Sequence, residues 1–196
     1  MINLGGVTDN YQAAEAHYKL MPEIRKLLIK YKTPATISTK SDLILRDIEL
    51  IDQLSHLVPV NIALTITTTD QKIQKLIEPN ASSPQRRFAA LKAFSQTGTT
   101  RGVHLMPIIP YLTDSQANIE SIYANAKDAK VHYLLPGMMH LRSQTRTMFF
   151  SFIKQELPHL YEKYAKLYQT SSANTKYKDS FYQMLNIIRM RYQIPS

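Results

Sequence analysis

Five short runs of apolar and β-branched residues begin near residues 2, 35, 60, 101 and 131. They alternate with stretches whose apolar positions recur at helical spacing. The first run, Ile2 to Thr8, reads as a strand entering a turn at Gly5 and Gly6, with Asp9 placed to cap the next helix. Helices are expected over Ala13–Tyr18 and Pro22–Lys32, the second with Ile24, Leu27, Leu28 and Tyr31 on one face. A strand over Ala35–Thr39, a helix over Asp47–His56 and an apolar strand over Val60–Ile66 come next. Asp70 is placed to cap a helix through Ile77, and Ser83-Pro84 to open another that ends before Gly98. A strand over Arg101–Ile109, a helix from Ser115 through Ala126 and a strand over Val131–Leu135, closed by Pro136-Gly137, complete the alternation. Beyond it the pattern is helical: Ser143–Gln155, Pro158–Gln169 and Tyr177–Tyr192, with a polar loop at Thr170–Thr175.

Strands separated by helices predict βαβ crossovers and a parallel sheet. Five such strands suit either an open doubly wound sheet or part of a (β/α) barrel. A first strand beginning at Met1 reads as the middle of a fold rather than its start. The length of 196 residues supports one sizeable core.

The polar residues gather where the strands end, the place at which α/β proteins hold ligands. The first strand ends in Gly5, Gly6, Thr8 and Asp9, the second in Ser38, Thr39, Lys40 and Ser41, and the third in Thr65 and Thr67. A lysine among hydroxyls offers a carboxylate or phosphate a point charge and several hydrogen bonds. The same residues also suit a solvated strand end with a surface lysine. The fourth strand ends in a Pro-rich shelf, and the fifth offers His132, Tyr133 and Gly137. Glu78, Arg86 and Arg87 are close enough in sequence to form a charged cluster, structural or ligand-facing.

Several chemistries are excluded or disfavoured. The chain has no cysteine, so disulfides, zinc–thiolate sites and thiolate-held iron–sulfur clusters have no ligands within it. The six histidines lack HExxH or i, i+4 pairing, no GxSxG elbow is present, and neither a Walker loop nor GxGxxG occurs. No catalytic or metal-binding residue is assigned. No apolar run approaches a membrane span and no secretion signal is visible, so a cytoplasmic location is expected. The formal charge of +9 favours polyanions such as nucleic acid. The bias is strong from His140 onward, with nine Lys/Arg against three Asp/Glu. A solvated helical surface would show the same bias.

Taken in order, Asn3-Leu-Gly-Gly-Val-Thr-Asp-Asn-Tyr-Gln12, Ser38-Thr-Lys-Ser41, Thr65-Ile-Thr-Thr68 with Glu78-Pro79, and Met106-Pro-Ile-Ile-Pro110 resemble radical S-adenosylmethionine (SAM) proteins. The subgroup is the one similar to spore photoproduct lyase, a DNA repair enzyme. The resemblance implies a partial TIM-type barrel of about five β/α units over residues 1–140, with a helical C-terminal extension over 141–196 packed on it. It implies SAM lying across the strand ends against a [4Fe-4S] cluster, with reductive cleavage to a 5′-deoxyadenosyl radical as the chemistry. Gly5, Gly6 and Thr8 then match the segment that meets the amino-acid portion of the cofactor. Lys40 matches the lysine that pairs its carboxylate, Ser38 lies beside it, and Thr65 and Thr67 fall near the ribose. Pro107–Pro110 and Leu135–Gly137 would flank the adenine. The family's CxxxCxxC loop, which binds the cluster, has no counterpart in this sequence. The expectation is therefore the C-terminal portion of a radical SAM enzyme, inactive alone, with SAM held weakly or not at all. The first β/α unit would be lost to truncation, an internal start or a split gene, and the expected partners are nucleic acid, through the basic surface, and a separately encoded cluster-binding segment. The alternatives are a cluster-free nucleic-acid-binding module and a non-functional remnant.

Overall fold

The computed structural model describes residues 1–195. Five strands, β1 (Ile2–Leu4), β2 (Ala35–Thr39), β3 (Val60–Thr65), β4 (Thr100–Ile108) and β5 (Tyr133–Met138), form one all-parallel sheet in the order β1-β2-β3-β4-β5. That order decides between the two expected architectures. A doubly wound sheet reverses direction at a switch point, whereas here every crossover steps the same way, as in a barrel. The helices are α1 (Ala13–Tyr18), α2 (Leu20–Lys30), α3 (Ile48–Ser55), α4 (Gln71–Ile77), α5 (Pro84–Phe94), α6 (Gln116–Asp128), α7 (Ser143–Glu156), α8 (Tyr161–Leu167) and α9 (Thr175–Tyr192).

Period-2 alternation gives the sheet one dry and one open face. Ala35, Ile37, Ile62, Leu64, Val103, Leu105 and Leu134 are fully buried against helical side chains that include Ile51, Leu54, Leu91, Ile119 and Ile122. Each large side chain so buried contributes about 1.5–3 kcal/mol. The register brings Asn3, Thr36, Asn61, Thr65, His104 and Tyr133 to the opposite face, where they remain partly or fully accessible. Gly102 makes one contact across that face possible. A Cβ there would lie 2.1 Å from the Tyr133 ring. Its absence lets Tyr133 cross β4 and donate to and accept from the Asn61 amide on β3, at 3.2 and 2.8 Å.

The local signals for helix starts are realised. Asp70 accepts from the amides of Lys72 and Ile73 at 2.7 and 3.2 Å, and Ser83 and Ser115 cap α5 and α6 in the same manner. Other boundaries move. The first strand stops at Leu4, because Gly5 turns to φ +93°. Lys19, in the left-handed conformation, ends α1 and starts α2 two residues before Pro22. A 3-10 turn over Asp42–Asp47 precedes α3. β5 runs through Pro136-Gly137 rather than ending there. Pro136 stays in register opposite Leu105, and the register shifts just beyond it, between Leu105 and Ile108 of β4.

The C-terminal helices are joined to the barrel by shared core. Phe181, Leu185 and Ile188 of α9 share a buried cluster with Ile119, Ile122 and Tyr123 of α6. The Pro195 carbonyl accepts from the Leu134 amide on the outer edge of β5 at 2.9 Å. No helix among the described residues is long and apolar enough to cross a membrane.

Candidate functional site

The carboxyl ends of β1, β2 and β3 enclose a cleft of about 260 Å³ lined by Gly5, Thr8, Asp9, Ser38, Lys40 and Thr65, with Val7 and Thr39. It opens, through Asp9 and Lys40, into a larger hollow of about 810 Å³ between the loop after β1 and Ile77–Ala81. Five of the seven residues expected from the sequence therefore meet in one place. Gly6 lies on the exposed side of the same loop, where a Cβ would come only within 3.5 Å of the Asn3 amide. Thr67 is buried at 2% exposure past the end of β3 and lines neither hollow. Its carbonyl accepts from Asn118 Nδ2 at 3.0 Å, tying the loop after β3 to α6.

Gly5 is required for its place. A Cβ would stand 2.0 Å from the Ser38 carbonyl oxygen, so the β1 loop rests directly on the β2 backbone. Asp9 then locks the loop down rather than capping α1. Its carboxylate accepts from the Thr39 hydroxyl at 2.6 Å, the Lys40 amide at 2.7 Å and the Tyr11 amide at 2.9 Å. The signal for this role is faint in sequence, because Asp9 and Thr39 are thirty residues apart.

Lys40 brings the positive side chain of the cleft. Its ammonium sits 2.8 Å from Glu78 Oε1, with the lysine side chain 40% exposed. Glu78 Oε2 in turn accepts from Arg87 Nη2 at 2.7 Å, and Arg87 is almost wholly buried. Arg87 directs its other donors to the Thr65 carbonyl at 2.6 Å and the Ser82 carbonyl at 2.7 Å. The charged cluster anticipated from Glu78, Arg86 and Arg87 thus divides. Arg87 fixes Glu78 and the end of β3, while Arg86 pairs with Asp42 at 2.6 Å. Burial pushes the Asp42 carboxyl up, but the Ser82 hydroxyl and Arg86 outweigh it and hold it below the ordinary carboxylate range. Because Glu78 keeps Arg87, Lys40 can turn to an incoming anion without leaving a bare buried carboxylate. Backbone groups, hydroxyls and one releasable ammonium suit a polar ligand that carries a carboxylate.

The rest of the rim is less polar. Met106 lies against Gly137, Leu135 is 40% exposed, and Pro110 is held through its carbonyl by the Tyr164 hydroxyl. His104 stands half-buried on the open face beside Thr65, and burial pushes its imidazole below the ordinary value. Among the described residues no group of three or more His, Cys, Asp or Glu is placed to hold a metal ion. A [4Fe-4S] cluster does not fit the side chains present, since the chain supplies no thiolate.

A family model for the Radical SAM superfamily matches residues 1–120. An uncharacterized protein of Mycobacterium tuberculosis is 33% identical over 168 residues, covering 86% of this chain and 49% of the relative. A second uncharacterized protein, from Methanocaldococcus jannaschii, is 29% identical over 190 residues, covering 97% of this chain and 66% of the relative. The chain thus spans about half the length of the mycobacterial relative it matches. Among solved structures, spore photoproduct lyase complexed with dinucleoside spore photoproduct superimposes with a TM-score of 0.70 at 11% identity, over 98% of this chain and 58% of the lyase. The shared fold is the partial β/α barrel. By the family match over residues 1–120, which takes in β1 to β4, the chain belongs to the radical SAM superfamily.

Proposed function

We propose that these 196 residues form the SAM-holding portion of a radical SAM enzyme and are inactive alone. The observation that carries this reading is the Lys40–Glu78–Arg87 arrangement, in which the carboxylate paired with the cleft's ammonium is also held by a second, buried cation. In this reading Lys40 pairs the cofactor carboxylate, and Ser38 and the backbone of Gly5, Gly6 and Thr8 receive its amino-acid portion. Thr65 lies toward the ribose. Asp9 holds the β1 loop on β2 so that these groups keep their spacing. Bound SAM would supply the radical chemistry of the family. The residues here bind and orient the cofactor and contribute no electron donor.

The thiolates come, in this proposal, from a cluster-binding segment outside these residues, encoded with them or separately. The free edge of β1, with exposed Met1, Ile2 and Val7 beside it, offers that segment a strand to pair with. Titration of the labelled chain with SAM, followed by NMR, tests the reading. The amides of Gly5, Thr8, Ser38 and Lys40 should shift together and saturate. Shifts confined to other regions, or none at millimolar SAM, would overturn it.

A further inference from the structure

Past the cleft, the same rim carries a second feature. Tyr111, three residues beyond the end of β4, adopts φ 66°, a left-handed conformation that an aromatic side chain occupies only at a cost. Its ring is 40% exposed. The rings of Tyr164 and Tyr177 meet it edge-to-face at 5.4 and 5.5 Å and fix its orientation. Backbone strain and two aromatic supports therefore hold an accessible ring in place.

That ring lies at the mouth of a groove formed around α8 and the start of α9. Two adjoining hollows, of about 420 and 390 Å³, share Lys166, Leu167 and Asn174. Lys163 and Lys176 line the first and Lys178 the second, and the Lys163 ammonium stands 5.9 Å from the Tyr111 ring centroid. No carboxylate lines either hollow. Lys166, Lys176 and Lys178 form no ion pair among the described residues. Asp114 is engaged by the Tyr177 hydroxyl, and Glu162 and Asp179, though adjacent in sequence to these lysines, line neither hollow. Four of the nine basic residues of the C-terminal third thus line this groove, three of them in the same hollow as the Tyr111 ring.

Four ammonium groups along a concave, hydroxyl-lined groove match a chain of phosphates. A supported aromatic ring among them matches an unpaired base, whose π-face is accessible only outside a duplex. A lipid surface would call for apolar side chains projecting beside the lysines, whereas this groove is recessed. We propose that the groove around α8 and α9 binds single-stranded nucleic acid, with Tyr111 stacked on one base and Lys163, Lys166, Lys176 and Lys178 on its phosphates. The proposal is independent of SAM binding and is tested without the cofactor.

The test is fluorescence anisotropy of the full chain with labelled mixed-sequence DNA and RNA strands and with the corresponding duplex. Four phosphate contacts predict about a 50-fold loss of affinity for the strands between 50 and 200 mM salt. Tyr111→Ala should weaken binding about tenfold or more, and Tyr111→Phe should retain it within about threefold. Lys166→Gln with Lys176→Gln, both at exposed positions that leave the core untouched, should lower the salt slope by about 1.4. Lys30→Gln with Lys127→Gln, removing the same charge elsewhere, should change affinity less than about threefold. A tighter DNA or RNA arm identifies the sugar. Four results would each overturn the proposal: no strand binding at 50 mM salt, preference for the duplex, equal losses from the two lysine pairs, or displacement of the strand by phosphatidylserine vesicles or polyglutamate.

Discussion

Replacing Arg87 with methionine removes the group that lets Lys40 be released. Arg87 is 1% exposed and donates to Glu78, to the Thr65 carbonyl and to the Ser82 carbonyl, at 2.7, 2.6 and 2.7 Å. Methionine keeps much of the volume but strands two carbonyls and halves the charge opposing a carboxylate that is only 10% exposed. Breaking a buried pair in this way costs about 3–5 kcal/mol. At about 2–4 °C per kcal/mol for a chain of this size, the melting temperature should fall by roughly 6–20 °C. Urea denaturation measures the loss directly, provided the slope is unchanged. Adding Glu78→Gln to Arg87→Met should restore roughly 1–2 kcal/mol, because the half-compensated buried charge disappears. The single variant should also bind SAM more weakly although Lys40 is intact, since Lys40 becomes the only partner Glu78 has. An Arg87→Met chain that loses less than about 1 kcal/mol, or a double variant no more stable than the single, would refute the relay.

Two further perturbations probe the same geometry. Gly5→Ala places a Cβ 2.0 Å from the Ser38 carbonyl at φ +93°, so the β1 loop must lift from β2. A stability loss of about 1–3 kcal/mol and loss of SAM binding are expected in thermal melts and calorimetry, and unchanged SAM affinity would separate the loop from the site. Burial pushes the Glu15 carboxyl up, but Arg46 and the amides of Met21 and Leu20 outweigh it, so it lies below its ordinary 4.5. Because the folded value is the lower one, its contribution is present above about pH 4.5 and is lost as pH falls below it. Glu15→Gln should reduce stability at pH 7 and flatten the acid limb of urea midpoints measured from pH 3 to 7, and an identical limb would show that Glu15 is not a source of acid lability.

The features legible in the sequence are those that neighbouring residues encode. Helix starts at Asp70, Ser83 and Ser115 depend on amides two or three residues away, and the five strand positions depend on runs of β-branched residues. The strand-end residues Ser38, Lys40 and Thr65 were legible because hydroxyls and a lysine interrupt those runs. The hidden features depend on separation. Lys40 meets Glu78 across thirty-eight residues, Asp9 reaches Thr39 across thirty, and Tyr133 reaches Asn61 across seventy-two only because Gly102 leaves room. β5 passes through Pro136 in register with Leu105 of β4, a property of the pair of strands rather than of the proline's own neighbours in sequence. Thr67 shares the composition of a strand end with Thr65, yet a two-residue step takes it from the cleft lining into buried surroundings.

In the proposed function the Lys40 ammonium pairs the carboxylate of SAM in the strand-end cleft. Calorimetric titration of the wild-type chain and of Lys40→Met, each with SAM and with decarboxylated SAM, tests it most directly. Removing either the ammonium or the carboxylate should weaken binding about tenfold, and removing both should cost little more than removing one. Independent, additive losses, or equal affinity of the wild type and Lys40→Met for SAM, would contradict it.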